Sequence, residues 1–119
     1  MKKVFFLDDD ETRHRRFMRA AIGYDVTQAW EYESAVKALS ENVFDVAYLD
    51  HDLSIEAAMG ELVADEKTGT HVAEFIAGLP PERRPKFVIV HSFNPVGRMR
   101  MRSILQSVGV ECIIEPFAF

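Results

Sequence analysis

Lys3-Val4-Phe5-Phe6-Leu7-Asp8-Asp9-Asp10-Glu11-Thr12 is a run of branched and aromatic residues that stops abruptly at three aspartates. A strand that is apolar at every position, rather than every second one, suits a parallel sheet covered on both faces. The residues that follow turn into a helix. Asp10 or Thr12 offers an N-cap, His14, Phe17, Met18 and Ala21 recur at helical spacing, and Gly23 supplies the stop. Strand, turn and helix together make the first half of a βαβ unit.

Working outward, the alternation repeats. Residues 26–30 read as a second strand, 34–39 as a helix with Ala35, Val36 and Leu39 facing inward, and 46–49 as a third strand. Residues 70–79 carry Val72, Phe75, Ile76 and Leu79 at helical spacing and end at Pro80-Pro81, and 87–90 form a fourth strand. Residues 94–106 form the next helix, with Asn94 as N-cap and Pro95 at the first helical position, where its missing N–H costs nothing. A short strand at 112–114 closes the pattern. Five such alternations predict one α/β domain over residues 1–119: a five-stranded parallel sheet of flavodoxin-like order 2-1-3-4-5 with helices on both faces. The stretch 54–67, of mixed polarity and with Gly60, is too long for an ordinary connection and reads as an inserted loop or short-helix lid.

Composition narrows the function. A chain of 119 residues has room for one domain, and a formal charge of -5 argues against extended DNA binding, which needs clustered cations, while leaving a small anionic ligand open. Cys112 is the single cysteine, so no internal disulfide forms, as suits a cytoplasmic protein. Asp8 interrupts the opening apolar run long before a signal core or membrane span is complete, so neither is expected.

In the expected strand order, strands 1, 3 and 4 are neighbours, and ligands of open α/β sheets bind beyond the carboxyl ends of strands near the switch point. Asp8-Asp9-Asp10 and Asp50-His51-Asp52 both lie there. Five carboxylates so close together demand protons or a cation, and an oxygen-rich set suits Mg²⁺ or Mn²⁺, with Asp8, Asp9 and Asp50 as the metal side and Asp10 free to cap a helix. After strand four, His91-Ser92-Phe93-Asn94-Pro95-Val96-Gly97-Arg98 runs into a helix N-terminus, where free N–H groups and the helix dipole favour an anion. Ser92, Asn94, Gly97 and Arg98 are the expected phosphate side. Arg13, one turn into the first helix, either points back over the aspartates to meet a phosphate or coats the surface. His51 and His91 end neighbouring strands and titrate near neutrality, so with Asp52 they are the candidate acid–base groups. His14 and His71 read as packing or surface residues.

These motifs resemble response-regulator receiver domains: Val4-Phe5-Phe6-Leu7-Asp8-Asp9 is similar to the receiver's first strand and acidic pair, 45–50 to the strand ending in the phosphoacceptor aspartate, and Ser92 to the hydroxyl residue after strand four. By that resemblance Asp9, Asp50 and the carbonyl of Asp52 would hold Mg²⁺, with Asp8 assisting through water. Glu115 departs from the pattern, since receivers carry a lysine before Pro-Phe. Leu49-Asp50-His51-Asp52-Leu53 and His91-Ser92-Phe93-Asn94-Pro95-Val96-Gly97 are closer to the branch known as cyclic-phosphate processing receiver-like domains. That resemblance implies binding or hydrolysis of a cyclic phosphate, as a nucleotide or a 2',3'-cyclic RNA end, by a metal-dependent phosphoesterase. A binding domain without turnover and a phosphoacceptor at Asp50 are the competing expectations. Asp8-Asp9-Asp10-Glu11-Thr12 also fits the opening motif of haloacid dehalogenase-like phosphatases, but Asp50 and Asp52 precede Ser92, the reverse of that family's order.

Overall fold

The computed structural model describes residues 1–53 and 67–119. Strands β1 (Lys3–Leu7), β2 (Asp25–Ala29), β3 (Val46–Leu49), β4 (Phe87–Val90) and β5 (Glu111–Ile114) alternate with helices α1 (Glu11–Ala20), α2 (Tyr32–Glu41), α3 (Gly69–Gly78) and α4 (Pro95–Ser107). The sheet is parallel throughout, in the order β2-β1-β3-β4-β5, as the alternation predicts. The inserted stretch expected at 54–67 lies, except for Lys67, outside the described residues.

Alternating side chains along the strands divide the core in two. Phe5, Leu7, Ala47, Leu49, Val88 and Val90 pack with Leu39 of α2, Val72 and Ile76 of α3, and Met101 and Leu105 of α4. Val4 and Phe6 pack with Phe17 of α1 and with Ala21, which caps its C-terminus. Fully burying each of these larger side chains contributes roughly 1.5–3 kcal/mol. On the α1 side, Phe117 and Phe119 of the C-terminal segment complete the cover: Phe117 lies 6.2 Å from Phe6, and Phe119 lies 5.1 Å from Phe17 between ring centroids.

Element boundaries follow their caps. Asp10, not Thr12, caps α1, accepting from the N–H groups of Thr12 and Arg13. Helix α2 starts at Tyr32, two residues before the sequence pattern suggests, because the Glu31 carboxylate accepts from the Ser34 N–H. Thr68 caps α3 in a capping box closed by the His71 side chain, whose Nδ1 accepts from the Thr68 N–H at 3.0 Å. Asn94 and Pro95 open α4 as expected, the Asn94 side chain accepting from the Gly97 N–H at 2.9 Å. Trp30 leaves the β2 ladder; its indole N–H donates to Glu11 and its ring stacks on His14.

Candidate functional site

In register, Leu7, Leu49, Val90 and Ile114 form one row across the sheet. The ladder continues one residue further: the Asp50 N–H donates to Leu7, the His91 N–H to Leu49 and the Glu115 N–H to Val90, at 3.0–3.1 Å. Asp8, on the other side, donates to Ala29 at 3.2 Å. Asp8, Asp50, His91 and Glu115 are therefore neighbouring rungs at the carboxyl end of the sheet. Sheet hydrogen bonding, rather than loop conformation, sets their spacing.

Oxygens of Asp8, Asp9 and Asp50 lie within 4.8 Å of one another. Asp8 is fully buried and Asp50 is 5% exposed, which for carboxylates requires compensation. Asp8 has it. Arg13 donates to both of its oxygens, Nε at 2.7 Å and one terminal nitrogen at 2.9 Å, while His91 Nε2 and the Asp10 N–H add bonds of 2.9 and 2.8 Å. Burial alone would raise its pKa, but the bonds from His91 and Arg13 outweigh that and hold it at about 2. Asp50 has less: one bond from the His51 N–H and the Arg13 guanidinium at 3.7 Å. Burial and the adjacent Asp8 charge push Asp50 up to about 8. Burial and Asp8 also raise Asp9. Three hard oxygen donors, one of them held protonated at neutral pH by burial and a neighbouring charge, are the donor set a divalent cation fits.

Two of the five clustered aspartates have other work. Asp10 caps α1. The Asp52 carboxylate lies 2.9 Å from His51 Nδ1. An ionised carboxylate only accepts, so this bond calls for an N–H at His51 Nδ1, and a neutral ring then presents Nε2 as the acceptor, the form of a general base. Two glycines seat His51. A β-carbon on Gly69 would collide with the Asp50 carbonyl, and one on Gly97 would collide with the His51 ring. Gly97 was expected to admit a phosphate; the group it admits in the structure is His51. Ser92 is buried and accepts from the Asn94 N–H at 3.0 Å, so it shapes the turn into α4. Phe93 and Val96 are exposed beside it, and Arg98 lies on the first turn of α4.

The structure does not bring His91 into the same position as His51. It is 3% exposed, stacks on Phe6 with 5.2 Å between centroids, and gives its Nε2 proton to Asp8. Burial lowers its pKa, so it stands neutral with a buried, unpartnered Nδ1. It positions Asp8 from behind. His14, read as a packing residue, does the same through the backbone, its Nε2 lying 2.8 Å from the Asp8 carbonyl. A cavity of about 560 Å³ on the α1 side, lined by Val4, Phe17, Tyr48, Phe87 and Phe119 among others, holds none of the strand-end carboxylates and stands apart from this chemistry.

The fold and the row of strand-end residues define a receiver-type α/β domain. A receiver domain of a CheY-like response regulator from Methanospirillum hungatei superposes with a TM-score of 0.67 at 17% identity, covering 99% of this chain and 84% of that one. The receiver domain of Francisella response regulator 1452 superposes at 0.66 and 18%, covering 99% and 87%. A response regulator from Burkholderia pseudomallei, with a phosphorylated aspartic acid, calcium ion and citrate, superposes at 0.60 and 20%, and this chain spans 61% of its length. No curated protein sequence matches. The family model for the cyclic-phosphate processing receiver domain matches residues 3–107, and the chain belongs to that family. Among the described residues no helix is long and apolar enough to cross a membrane.

Proposed function

We propose that the strand-end site binds a cyclic phosphodiester and opens it by water attack, as a divalent-metal-dependent phosphoesterase. The observation that carries this reading is the His51–Asp52 pair beside the acidic cluster, seated against Gly97 in the first turn of α4. Asp8, Asp9 and Asp50 would hold Mg²⁺ or Mn²⁺, which supplies Lewis acidity toward the phosphoryl oxygens and lowers the pKa of a bound water.

His51 Nε2 takes the proton of the attacking water, while Asp52 stabilises the imidazolium through Nδ1. The phosphorus–oxygen bond to one ring oxygen breaks, and the leaving alkoxide collects a proton from solvent, giving a phosphomonoester. The N-terminus of α4, Arg98 and Arg13 hold the phosphate oxygens. The ligand class is a cyclic nucleotide or a 2',3'-cyclic RNA end, in the cytoplasm. The test is calorimetry and product analysis with cyclic mononucleotides, 2',3'-cyclic ends and cyclic oligonucleotides, with Mg²⁺ or Mn²⁺. His51→Ala is expected to lower turnover by about 10²–10⁴-fold. Tight binding without product, in wild type as in His51→Ala, would replace hydrolysis with sequestration.

A second reading, phosphoryl acceptance by Asp50, is favoured by its place at the end of β3 and by the phosphorylated aspartic acid of the Burkholderia protein. Acetyl phosphate would then leave an acid-stable, hydroxylamine-labile adduct that Asp50→Asn abolishes. Glu115, one rung beyond His91, argues against it by placing a carboxylate where receivers place a lysine.

A further inference from the structure

We infer that Arg13 is a tethered counter-ion occupying the place of the metal, so that cation binding and phosphate capture are coupled through one side chain. This rests on the metal-centred reading above. The Arg13 terminal nitrogen that lies 2.9 Å from Asp8 Oδ1 is also 3.6 Å from Asp9 Oδ1 and 3.7 Å from Asp50 Oδ2. Those are the same three carboxylates that form the candidate metal cluster.

The hydrogen-bond inventory of Asp8 makes the two cations exclusive. An ionised carboxylate offers about four lone-pair sites. On Asp8, Oδ2 accepts from Arg13 Nε and His91 Nε2, and Oδ1 accepts from Arg13 and the Asp10 N–H. All are taken, so a metal bound through Asp8 must displace the guanidinium. His91 and the Asp10 N–H are fixed by the sheet and the turn, whereas Arg13 hangs on a flexible stem with its side chain 26% exposed.

Once displaced, Arg13 has reason to seek another anion. It stands at the third position of α1, after the Asp10 cap, where the helix dipole disfavours a cation. The guanidinium is tolerated there because Asp8 holds it through both oxygens, at 2.7 and 2.9 Å, with oxygens of Asp9, Asp10 and Asp50 around it at 3.5–3.7 Å. With a divalent ion neutralising that cluster, the released fork is set to grip a phosphate in the same crevice. Ligand order follows: cation first, phosphate second.

The experiment titrates Mn²⁺ alone into wild type, Arg13→Ala and Arg13→Lys by calorimetry, with circular dichroism to establish folding. The Arg13 Nε–H resonance is followed during a Mg²⁺ titration, and inorganic phosphate is titrated with and without Mg²⁺. Arg13→Ala is expected to bind Mn²⁺ about 10–100-fold more tightly, the equivalent of losing a partly buried charge-assisted pair, with Arg13→Lys between. The Nε–H signal shifts as Mg²⁺ binds, and phosphate binding by wild type requires Mg²⁺ and is weakened in Arg13→Ala. Mn²⁺ affinity unchanged or weakened in both folded variants overturns the inference and leaves the metal site standing. No Mn²⁺ binding to any of the three proteins overturns the metal site itself, and the inference with it.

Discussion

Replacing Asp50 by Asn should stabilise the metal-free protein, and by an amount that grows with pH. In the unfolded chain this carboxyl loses its proton near the ordinary 3.8; in the folded protein burial and the Asp8 charge hold the proton to about 8. Between those values the folded state binds the extra proton. Stability contributed by Asp50 is therefore fully present below 3.8 and falls as pH rises toward 8. At pH 7 the interval from 3.8 amounts to about 4 kcal/mol, at roughly 1.4 kcal/mol per pH unit. Asparagine is nearly isosteric, can keep the acceptor for the His51 N–H, and does not titrate. Urea unfolding of both proteins at pH 4.5, 6, 7 and 8, in chelator, measures the difference. The variant should gain on wild type by about 1 kcal/mol per pH unit across that range. His91, whose lowered pKa contributes with the opposite sign below its ordinary 6.5, is common to both proteins and drops out of the difference. Added Mg²⁺ should stabilise wild type and affect the variant less, since ligand binding to the folded state adds stability by mass action. A difference that stays flat from pH 4.5 to 8, or that turns in favour of wild type, would refute the assignment of Asp50 as a strained, cation-seeking carboxylate.

Gly97→Ala should retain the fold but push the His51 ring from its seat, so turnover of a cyclic phosphate drops while Mn²⁺ affinity, measured by calorimetry, stays within a few fold. Gly69→Ala should be worse, because its β-carbon meets the Asp50 backbone rather than a movable side chain; a stability loss of about 1–3 kcal/mol in urea melts is expected. Asp10→Ala should cost about 1 kcal/mol of stability as a lost helix cap with little change in Mn²⁺ affinity, whereas Asp9→Ala should weaken Mn²⁺ binding with little loss of stability.

The sheet was legible in the sequence because β1, β3 and β4 are apolar runs ended by Asp8, Asp50 and His91, and parallel order then places those ends in one row. Asp8, Asp50 and His91 follow from that logic, since the strand ladder continues through them. The division of labour among the aspartates was less legible. That Asp52 orients His51 and Asp10 caps α1 depends on side-chain direction, which residue spacing leaves open. His91 looks equivalent to His51 in sequence, yet its rung points it at Asp8 and Phe6, and burial removes it from the crevice. Arg13 carried one usable signal: a cation in the first turn of a helix opposes the dipole and needs nearby anions to hold it. The seating of His51 on Gly97 had a signal too, a small residue one turn into a helix, but nothing in the spacing says which group the gap admits.

The reaction itself is most directly tested by following cyclic phosphodiesters by phosphorus NMR in the presence of wild-type protein and Mg²⁺ or Mn²⁺. A phosphomonoester resonance should appear for at least one cyclic nucleotide or 2',3'-cyclic end, vanish with chelator, and fall by about 10²–10⁴-fold in His51→Ala. Unchanged spectra across the whole panel would contradict a hydrolytic role for the site.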